Sequence, residues 1–182
     1  MTSSPQTGPD LRYPIGRLSR KSALTPAERM SAIDSIAVTP TQLSDAVSGL
    51  SDAQLDTPYR PGGWTVRQLV HHVADSHINA YTRFRFALTE DNPTIKPYEE
   101  AVWADLPDAR LLPPTVSLLL IQALHERWVA LLRGLPHESF ARTLLHPDNG
   151  SMTMDDLLTM YAWHGRHHTA HVTALRERMG WT

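Results

Sequence analysis

Proline positions restrict this chain to a few long helices. The 182 residues include fourteen prolines, and a proline inside a helix removes a backbone hydrogen bond and clashes with the preceding turn. Stretches without proline cover 62–92, 115–135 and 148–182, and the stretch 27–57 is interrupted only by Pro40. Each stretch is long enough for several helical turns, and we expect Pro40 to kink or split the first helix.

Capping and periodicity signals support a helix in each stretch. Residues 25–28 and 65–68 have the form of capping boxes, and Thr153 with Asp156 can cap the last helix. Apolar residues recur with helical spacing, whereas few segments alternate with a period of two, so the fold needs no strands. The sequence therefore predicts an all-α protein, an antiparallel four-helix bundle with a long connection over 91–113.

The domain organisation predicted from the sequence is simple. Residues 1–9 are polar and rich in proline, and they lack the basic start and apolar stretch of a signal peptide. We expect a loosely ordered leader over residues 1–20 and a single bundle domain over residues 21–182. Within the long connection, residues 98–103 are expected to form one short helical turn.

Charge and composition narrow the function classes. The 17 basic and 19 acidic side chains give a net charge of −2, so nothing indicates a nucleic-acid partner. No window approaches eighteen consecutive apolar residues, so we expect no membrane span. The chain has no cysteine, which excludes disulfides, thiolate metal ligands and a cysteine nucleophile, and fits a location in the reducing cytoplasm.

Histidine is the residue type that points to chemistry. Seven of the ten histidines fall in two groups about ninety residues apart, and histidine is the commonest metal ligand in proteins. The members of the two groups are His71, His72 and His77, and then His164, His167, His168 and His171. Two such groups on different helices are typical of a metal site formed between distant parts of a chain.

The last helix indicates which of its histidines face the interior. His164 and His168 lie in the middle of its apolar stripe, and side chains four residues apart on a helix can converge on one ion. His167 and His171 have the same spacing, so spacing alone leaves two possible pairs, and burial favours the first. On the other helix, periodicity nominates His77 as the third ligand because it lies in the core stripe.

The sequence around these histidines resembles a known family. Residues 56–77 (DTPYRPGGWTVRQLVHHVADSH) and residues 161–171 (YAWHGRHHTAH) are similar to the DinB-like superfamily, and more narrowly to its YfiT branch of metal-dependent hydrolases, which includes the bacillithiol S-transferases. Residues 13–16 (YPIG) and 178–181 (RMGW) match the same branch. The resemblance implies a four-helix bundle, a homodimer, and one divalent ion, zinc or nickel, in each subunit.

The resemblance also implies a ligand set. Carried over onto this sequence, the metal ligands are His72, His164 and His168, so that His72 replaces His77. Three neutral imidazoles leave a divalent ion with an open position, as in catalytic zinc sites. Such an ion lowers the pKa of water to about 7, or it can hold the sulfur of an external thiol, which must be a cosubstrate because the chain has no cysteine.

A catalytic base is not assigned by the sequence. There is no His-Glu-x-x-His motif, so the candidates are His71, His167, His171, Asp75 or the hydroxide of a metal-bound water. Each of the four side chains can equally orient a metal ligand or lie at the surface. Arg67, Arg83 and Arg166 are available to an anionic substrate, although solvation at the surface is the simpler interpretation of each.

Three functions remain open on the sequence. The first is a metal-dependent hydrolase acting on a small molecule. The second is a metal-dependent S-transferase that activates a low-molecular-weight thiol such as bacillithiol. The third is a non-catalytic metal-binding module of the stress response, which requires a closed site with a fourth ligand such as His71 or His77.

Overall fold

The computed structural model describes residues 10–182 as a four-helix bundle with short additional elements. The long helices are α1 (Pro26–Val47), α3 (Val66–Thr89), α6 (Pro114–Arg133) and α7 (Met154–Met179). The short elements are α2 (Asp52–Leu55), α4 (Glu100–Ala104), α5 (Pro107–Leu111), a 3₁₀ helix (His137–Ala141) and the strands β1 (Thr143–His146) and β2 (Gly150–Thr153). The predicted fold class, an all-α four-helix bundle, is confirmed.

The three capping boxes expected from the sequence all form. The side chains of Thr25, Thr65 and Thr153 each accept a hydrogen bond from the backbone three residues on, and the residue there returns one to the cap. These bonds satisfy backbone N–H groups that a helix start leaves unpaired. At Pro40 the structure differs from the expectation of a split, because α1 continues through this residue without interruption.

Helix directions follow from the contacts along each pair of neighbours. The pairs α1 with α7 and α3 with α6 run parallel, because their contacts advance in the same direction along both helices. The pairs α3 with α7 and α1 with α6 run antiparallel, because their contacts advance in opposite directions. Contacts that advance together are Arg29 with Asp155, Thr39 with Gly165 and Ala46 with Arg176, and also His71 with Ser117 and His77 with His125. Antiparallel neighbours in a bundle are normally joined by short loops. The long connection between α3 and α6 instead returns the chain along the bundle, so that α6 starts beside the start of α3.

The connection and the segment before α7 contain structure that the sequence analysis did not place. The expected turn at residues 98–103 is observed as α4, and α5 follows it. The expectation that no strands are needed is wrong at one place, because β1 and β2 form a small antiparallel hairpin. Each strand has four residues and buries only one of them, Leu144 or Met152, so its alternation is too short to recognise in a sequence.

The segment before α1 lies against the last helix. The carbonyl of Arg12 accepts a hydrogen bond from His171 Nε2 at 3.3 Å, and the carbonyl of Gly16 accepts one from Trp163 Nε1 at 3.3 Å. The first part of the expected leader, residues 1–9, lies outside the described residues. The division into a leader and a bundle domain stays a prediction.

The interior contains two apolar clusters with a polar layer between them. One cluster is centred on Phe84, Trp128 and Leu157, and the other includes Leu69 and Val172. Along the helix axes, four histidines fall between the two clusters: His77, His125, His164 and His168. The polar layer is therefore enclosed above and below by apolar side chains.

Helix α6 has an exposed apolar side. Among the described residues it is the one helix long and apolar enough to cross a membrane by length and composition alone, a test that core helices of other proteins also pass. It packs against α1 and α3, while Leu119 on its outer side is 68% exposed.

A buried ion pair joins the first turns of α1 and α7. Arg29 donates two hydrogen bonds to the carboxylate of Asp155 at 2.9 and 2.8 Å, and both side chains are less than 10% exposed. The same carboxylate accepts a bond from the backbone N–H of Leu24 at 2.9 Å. Removing one partner leaves the other charge buried without compensation.

We expect Asp155→Ala to lower the free energy of unfolding by about 3–5 kcal/mol, because it leaves Arg29 charged and unpaired in the interior. The matched control is Asp34→Ala, which removes an exposed pair with Arg133 and should cost less than about 1 kcal/mol. Urea unfolding of both variants measures the difference, and equal losses would contradict a special role for the buried pair.

Candidate metal centre

Helices α3 and α7 bring three histidines together, two of them from the polar layer. His72, His164 and His168 each offer one ring nitrogen, and these nitrogens all lie within 4.8 Å of one another. The Nε2 atoms of His72 and His164 are 3.3 Å apart. The ring of His168 lies 4.9 Å from that of His72 and 4.4 Å from that of His164, measured between centroids.

These distances suit a single divalent ion. Nitrogens bound at 2.0–2.1 Å to one tetrahedral ion are about 3.3–3.4 Å apart, and the Nε2 atoms of His72 and His164 already have this separation. Among residues 10–182, the group contains only these three side chains. A tetrahedral ion held by three protein ligands keeps one position for water or substrate.

Burial keeps the three imidazoles neutral. It lowers the pKa of His72 to about 4, and it lowers those of His164 and His168 well below the usual value, with neighbouring histidines adding to the effect. A neutral imidazole has a free lone pair, which is the form that binds a metal. His72 and His168 are buried, whereas His164 is only partly buried, so the group is not sealed from solvent.

The surroundings of the three rings are polar on one side and aromatic on another. The hydroxyl of Ser76 lies 3.5 Å from His164 Nε2, and the ring of Trp64 packs against His72 at 4.5 Å between centroids. A polar group and an aromatic face next to the candidate ligands are suited to orienting a small substrate.

His77 does not belong to the group of converging nitrogens, although its place in the core stripe nominated it. Its Nε2 lies 3.1 Å from His164 Nδ1, and its Nδ1 lies 2.7 Å from His125 Nε2 on α6. His77 therefore contacts the far side of a proposed ligand instead of the position where an ion would lie. His125, which the sequence analysis did not single out, is buried beside it.

His71 has a structural role in the described fold. Its Nε2 donates to the carbonyl of Leu112 at 3.1 Å, so its Nδ1 accepts from the hydroxyl of Ser117 at 2.7 Å. Both ring nitrogens are thus occupied in joining α3 to the start of α6. This leaves His71 without a free nitrogen for catalysis or for a fourth metal bond.

His167 and His171 lie on the side of α7 covered by residues 10–20. His167 stacks on Trp163 with 4.0 Å between ring centroids, and His171 lies 4.2 Å from the ring of Tyr59. Burial lowers the pKa of His167 to about 3 and that of His171 to about 4. Groups with such pKa values are weak bases at neutral pH, so neither suits general-base catalysis.

Asp75 has a pKa closer to the range that suits a base. Burial, and then the charge of Asp108, raise the pKa of its carboxyl group to about 6.

Two of the three arginines differ from the surface role expected of them. Arg67 is buried and pairs with Asp56 at 2.7 Å. Arg83 is also buried, with the hydroxyl of Tyr161 and the carbonyl of Lys96 at 3.4 Å, whereas Arg166 is exposed.

A cavity lies next to the histidines of α7. Its volume is ≈ 220 Å³, and Tyr59 and His171 form part of its wall together with Leu11, Pro14 and Arg178. The ring of His171 is 5.4 Å from that of His168. A small molecule in this cavity would contact His171, whose ring neighbours that of the candidate ligand His168.

Comparison with known proteins identifies the family. The sequence profile of the DinB superfamily matches residues 36–172. Two proteins, from Bacillus cereus (strain AH820) and Bacillus anthracis (strain A0248), are each 54% identical to this chain over 172 residues, which is 94% of this chain and 99% of theirs. Both carry the name "putative metal-dependent hydrolase". The chain belongs to the DinB superfamily.

Solved structures agree with this assignment. YfiT from Bacillus subtilis, described as "a probable metal-dependent hydrolase with an unusual four-helix bundle topology", is 47% identical, with a TM-score of 0.92 over 94% of this chain and 99% of that one. A mycothiol-dependent maleylpyruvate isomerase shares the fold at 19% identity, with a TM-score of 0.63 over 80% of this chain and 60% of that one.

The raised pKa of Asp75 predicts a pH dependence of stability. The folded protein binds this proton more tightly than the unfolded chain, whose value is 3.8, so stability falls as pH rises from about 4 to 6. We expect Asp75→Asn to match wild type below pH 4 and to exceed it by about 1–3 kcal/mol above pH 6.

Urea unfolding of both proteins from pH 4 to pH 8 measures this difference. A difference that stays constant over this pH range would contradict the raised pKa.

Proposed function

We propose that this protein is a metal-dependent hydrolase of the YfiT type, acting on a small molecule. In this proposal His72, His164 and His168 bind one divalent ion, zinc or nickel, in each subunit. The observation that carries it is the convergence of three neutral ring nitrogens from two helices within 4.8 Å. The names of the relatives support the same class.

Hydrolysis at such a site would need a bound divalent ion and a protein environment that holds its ligands in place. A divalent ion with an open position supplies Lewis-acid activation of water or of a substrate oxygen near neutral pH. The chain itself holds the rings neutral by burial, and it places the hydroxyl of Ser76 beside His164 and the ring of Trp64 against His72. The cavity beside Tyr59 and His171 is proposed to hold the body of the substrate.

Transfer of a thiol is the second candidate function. The three proposed ligands are neutral histidines and the chain lacks cysteine, so an external thiolate would bind without competition from protein sulfur. The reaction would then join the sulfur of a low-molecular-weight thiol to an electrophile. The same three histidines serve this function and the hydrolase function.

A non-catalytic metal-binding role is less well supported. It requires a fourth protein ligand, for which His71 and His77 were the candidates. Both nitrogens of His71 are occupied by Leu112 and Ser117, and those of His77 lie against His125 and His164. Neither ring can join the ion without breaking these hydrogen bonds.

We expect native protein to contain about one equivalent of zinc or nickel by elemental analysis, and His168→Ala to contain less than about a tenth of an equivalent. Loss of one of three ligands removes most of the binding free energy of such a site. His146→Ala is the control, because His146 lies on β1 outside the group. Metal in His168→Ala at the wild-type level would contradict the proposed ligand set.

Activity assays distinguish the two enzymatic functions. Metal-loaded protein is tested on a panel of ester and amide substrates and on a model electrophile, with and without bacillithiol. Hydrolysis that is abolished by chelation and needs no thiol supports the hydrolase. Turnover that requires the thiol would replace it with the transferase.

We also propose that the protein is a homodimer that uses the outer side of α6 and the adjoining connection. This surface carries four strongly exposed apolar residues: Val102, Leu111, Val116 and Leu119. Large exposed apolar patches mark interaction sites, and in this proposal the four residues belong to one such patch. A second copy of the chain, meeting the same surface, would bury it symmetrically.

We expect wild type to have twice the chain mass of 20.4 kDa in sedimentation equilibrium, and Leu119→Glu to have the mass of one chain, because it places like charges across the interface. Met30→Glu, at an exposed apolar residue on α1, is the control and should stay dimeric. A monomeric wild type, or a dimeric Leu119→Glu, would refute this interface.

A further inference from the structure

One line of hydrogen bonds crosses all four long helices and ends on a proposed metal ligand. The carbonyl of Ile36 on α1 lies 2.8 Å from His125 Nδ1 on α6, and His125 Nε2 lies 2.7 Å from His77 Nδ1 on α3. His77 Nε2 then lies 3.1 Å from His164 Nδ1 on α7. By contrast, the Nδ1 atoms of His72 and His168 have no hydrogen-bond partner among residues 10–182.

The carbonyl at the start of the line fixes the direction of every bond in it. A carbonyl only accepts, so His125 carries its proton on Nδ1, and as a neutral ring it accepts at Nε2. His77 must then donate from Nδ1 and accept at Nε2, and His164 must donate from Nδ1. The Nε2 of His164 is therefore left with a lone pair, and this is the atom 3.3 Å from His72 Nε2.

Burial supports the neutral state of the two connecting rings. His77 is fully buried and His125 is 2% exposed, and both lie edge-on to the ring of Trp128. A charged imidazolium in this setting would need a carboxylate partner, and the contacts of both rings are histidine, aromatic rings and a carbonyl.

Pro40 explains why the carbonyl of Ile36 is free to accept. In an α-helix the N–H of residue 40 would donate to the carbonyl of residue 36, but proline has no N–H. The proline lies inside the continuous helix α1, so it removes one helical bond without ending the helix. His125 Nδ1 therefore donates to the free carbonyl oxygen of Ile36.

We propose that His77 and His125 are positioning residues for the metal centre, which hold His164 as the Nδ1–H tautomer with its Nε2 lone pair directed at the ion. This inference rests on the proposed metal site. Groups that accept a bond from the remote N–H of a metal-bound histidine fix its tautomer and orientation and raise its basicity. Here that group is itself a histidine, set by a second histidine and by a backbone carbonyl.

The direct test is the tautomer of each ring in the wild-type protein. Long-range ¹H–¹⁵N spectra of the full chain, labelled on histidine, are recorded without metal and with zinc. We expect Nδ1–H at His77, His125 and His164 in both samples. An Nε2–H tautomer or an imidazolium at His77 or His125 would overturn the inference, whether or not zinc binds.

A second test measures zinc affinity by competition with a chromophoric chelator. His77→Phe should weaken binding about 10–100-fold, the usual cost of losing the partner of a metal-bound histidine. Trp128→Phe is the matched control, since Trp128 packs on both connecting histidines and its Nε1 has no hydrogen-bond partner among residues 10–182. It should change the affinity by less than about twofold. Equal affinities for wild type and a folded His77→Phe would overturn the inference.

Pro40→Ala tests the line without touching a histidine. It supplies an N–H that competes for the carbonyl of Ile36, so we expect a smaller loss of zinc affinity, while the helix itself is stabilised. This variant carries the affinity test if His77→Phe does not fold, and an unchanged affinity would then count against the inference. Expected tautomers in a wild type that binds no zinc would overturn the proposed metal site, and with it any role of these residues toward a metal.

Discussion

The polar layer depends on the high free-energy cost of a charge in the interior of the bundle. Apolar clusters pack on both sides of the layer, so a charge on one of its rings would be poorly solvated and the rings are neutral. Neutral rings have lone pairs, and two of these rings, His164 and His168, meet His72 so that one nitrogen of each lies within 4.8 Å of the others. The burial that excludes charge from this layer therefore also provides the donors that a divalent ion requires.

Much of the fold follows from local features of the sequence. Proline positions and capping boxes located the four long helices, because both act within a few residues. The hairpin was missed because each strand is four residues long. The directions of the helices depend on how the connection over 91–113 crosses the bundle, which no local pattern records.

The candidate site was only partly predictable. The apolar stripe of α7 was sufficient to select His164 and His168, since both lie in its middle. The apolar stripe of α3 selected His77 instead of His72. An apolar stripe shows which side chains face the interior, but it does not show which neighbouring helix each of them faces. His77 faces α6 and the back of His164, whereas His72 faces α7 directly. The resemblance to the family supplied His72, and nothing in the sequence indicated that His125 would meet His77.

Gly165 influences the spacing of the three candidate metal ligands from outside their group. It adjoins His164 on α7, and a Cβ at this position would lie 2.5 Å from the hydroxyl oxygen of Thr39 on α1. The missing methyl group therefore lets two parallel backbones come closer than side chains normally allow. A larger residue would push α7 away from α1, and so would shift His164 and His168, which α7 carries, relative to His72 on α3. The spacing between the histidine rings of α7 and the ring of His72 therefore depends on the contact between Gly165 and Thr39, in which no histidine takes part.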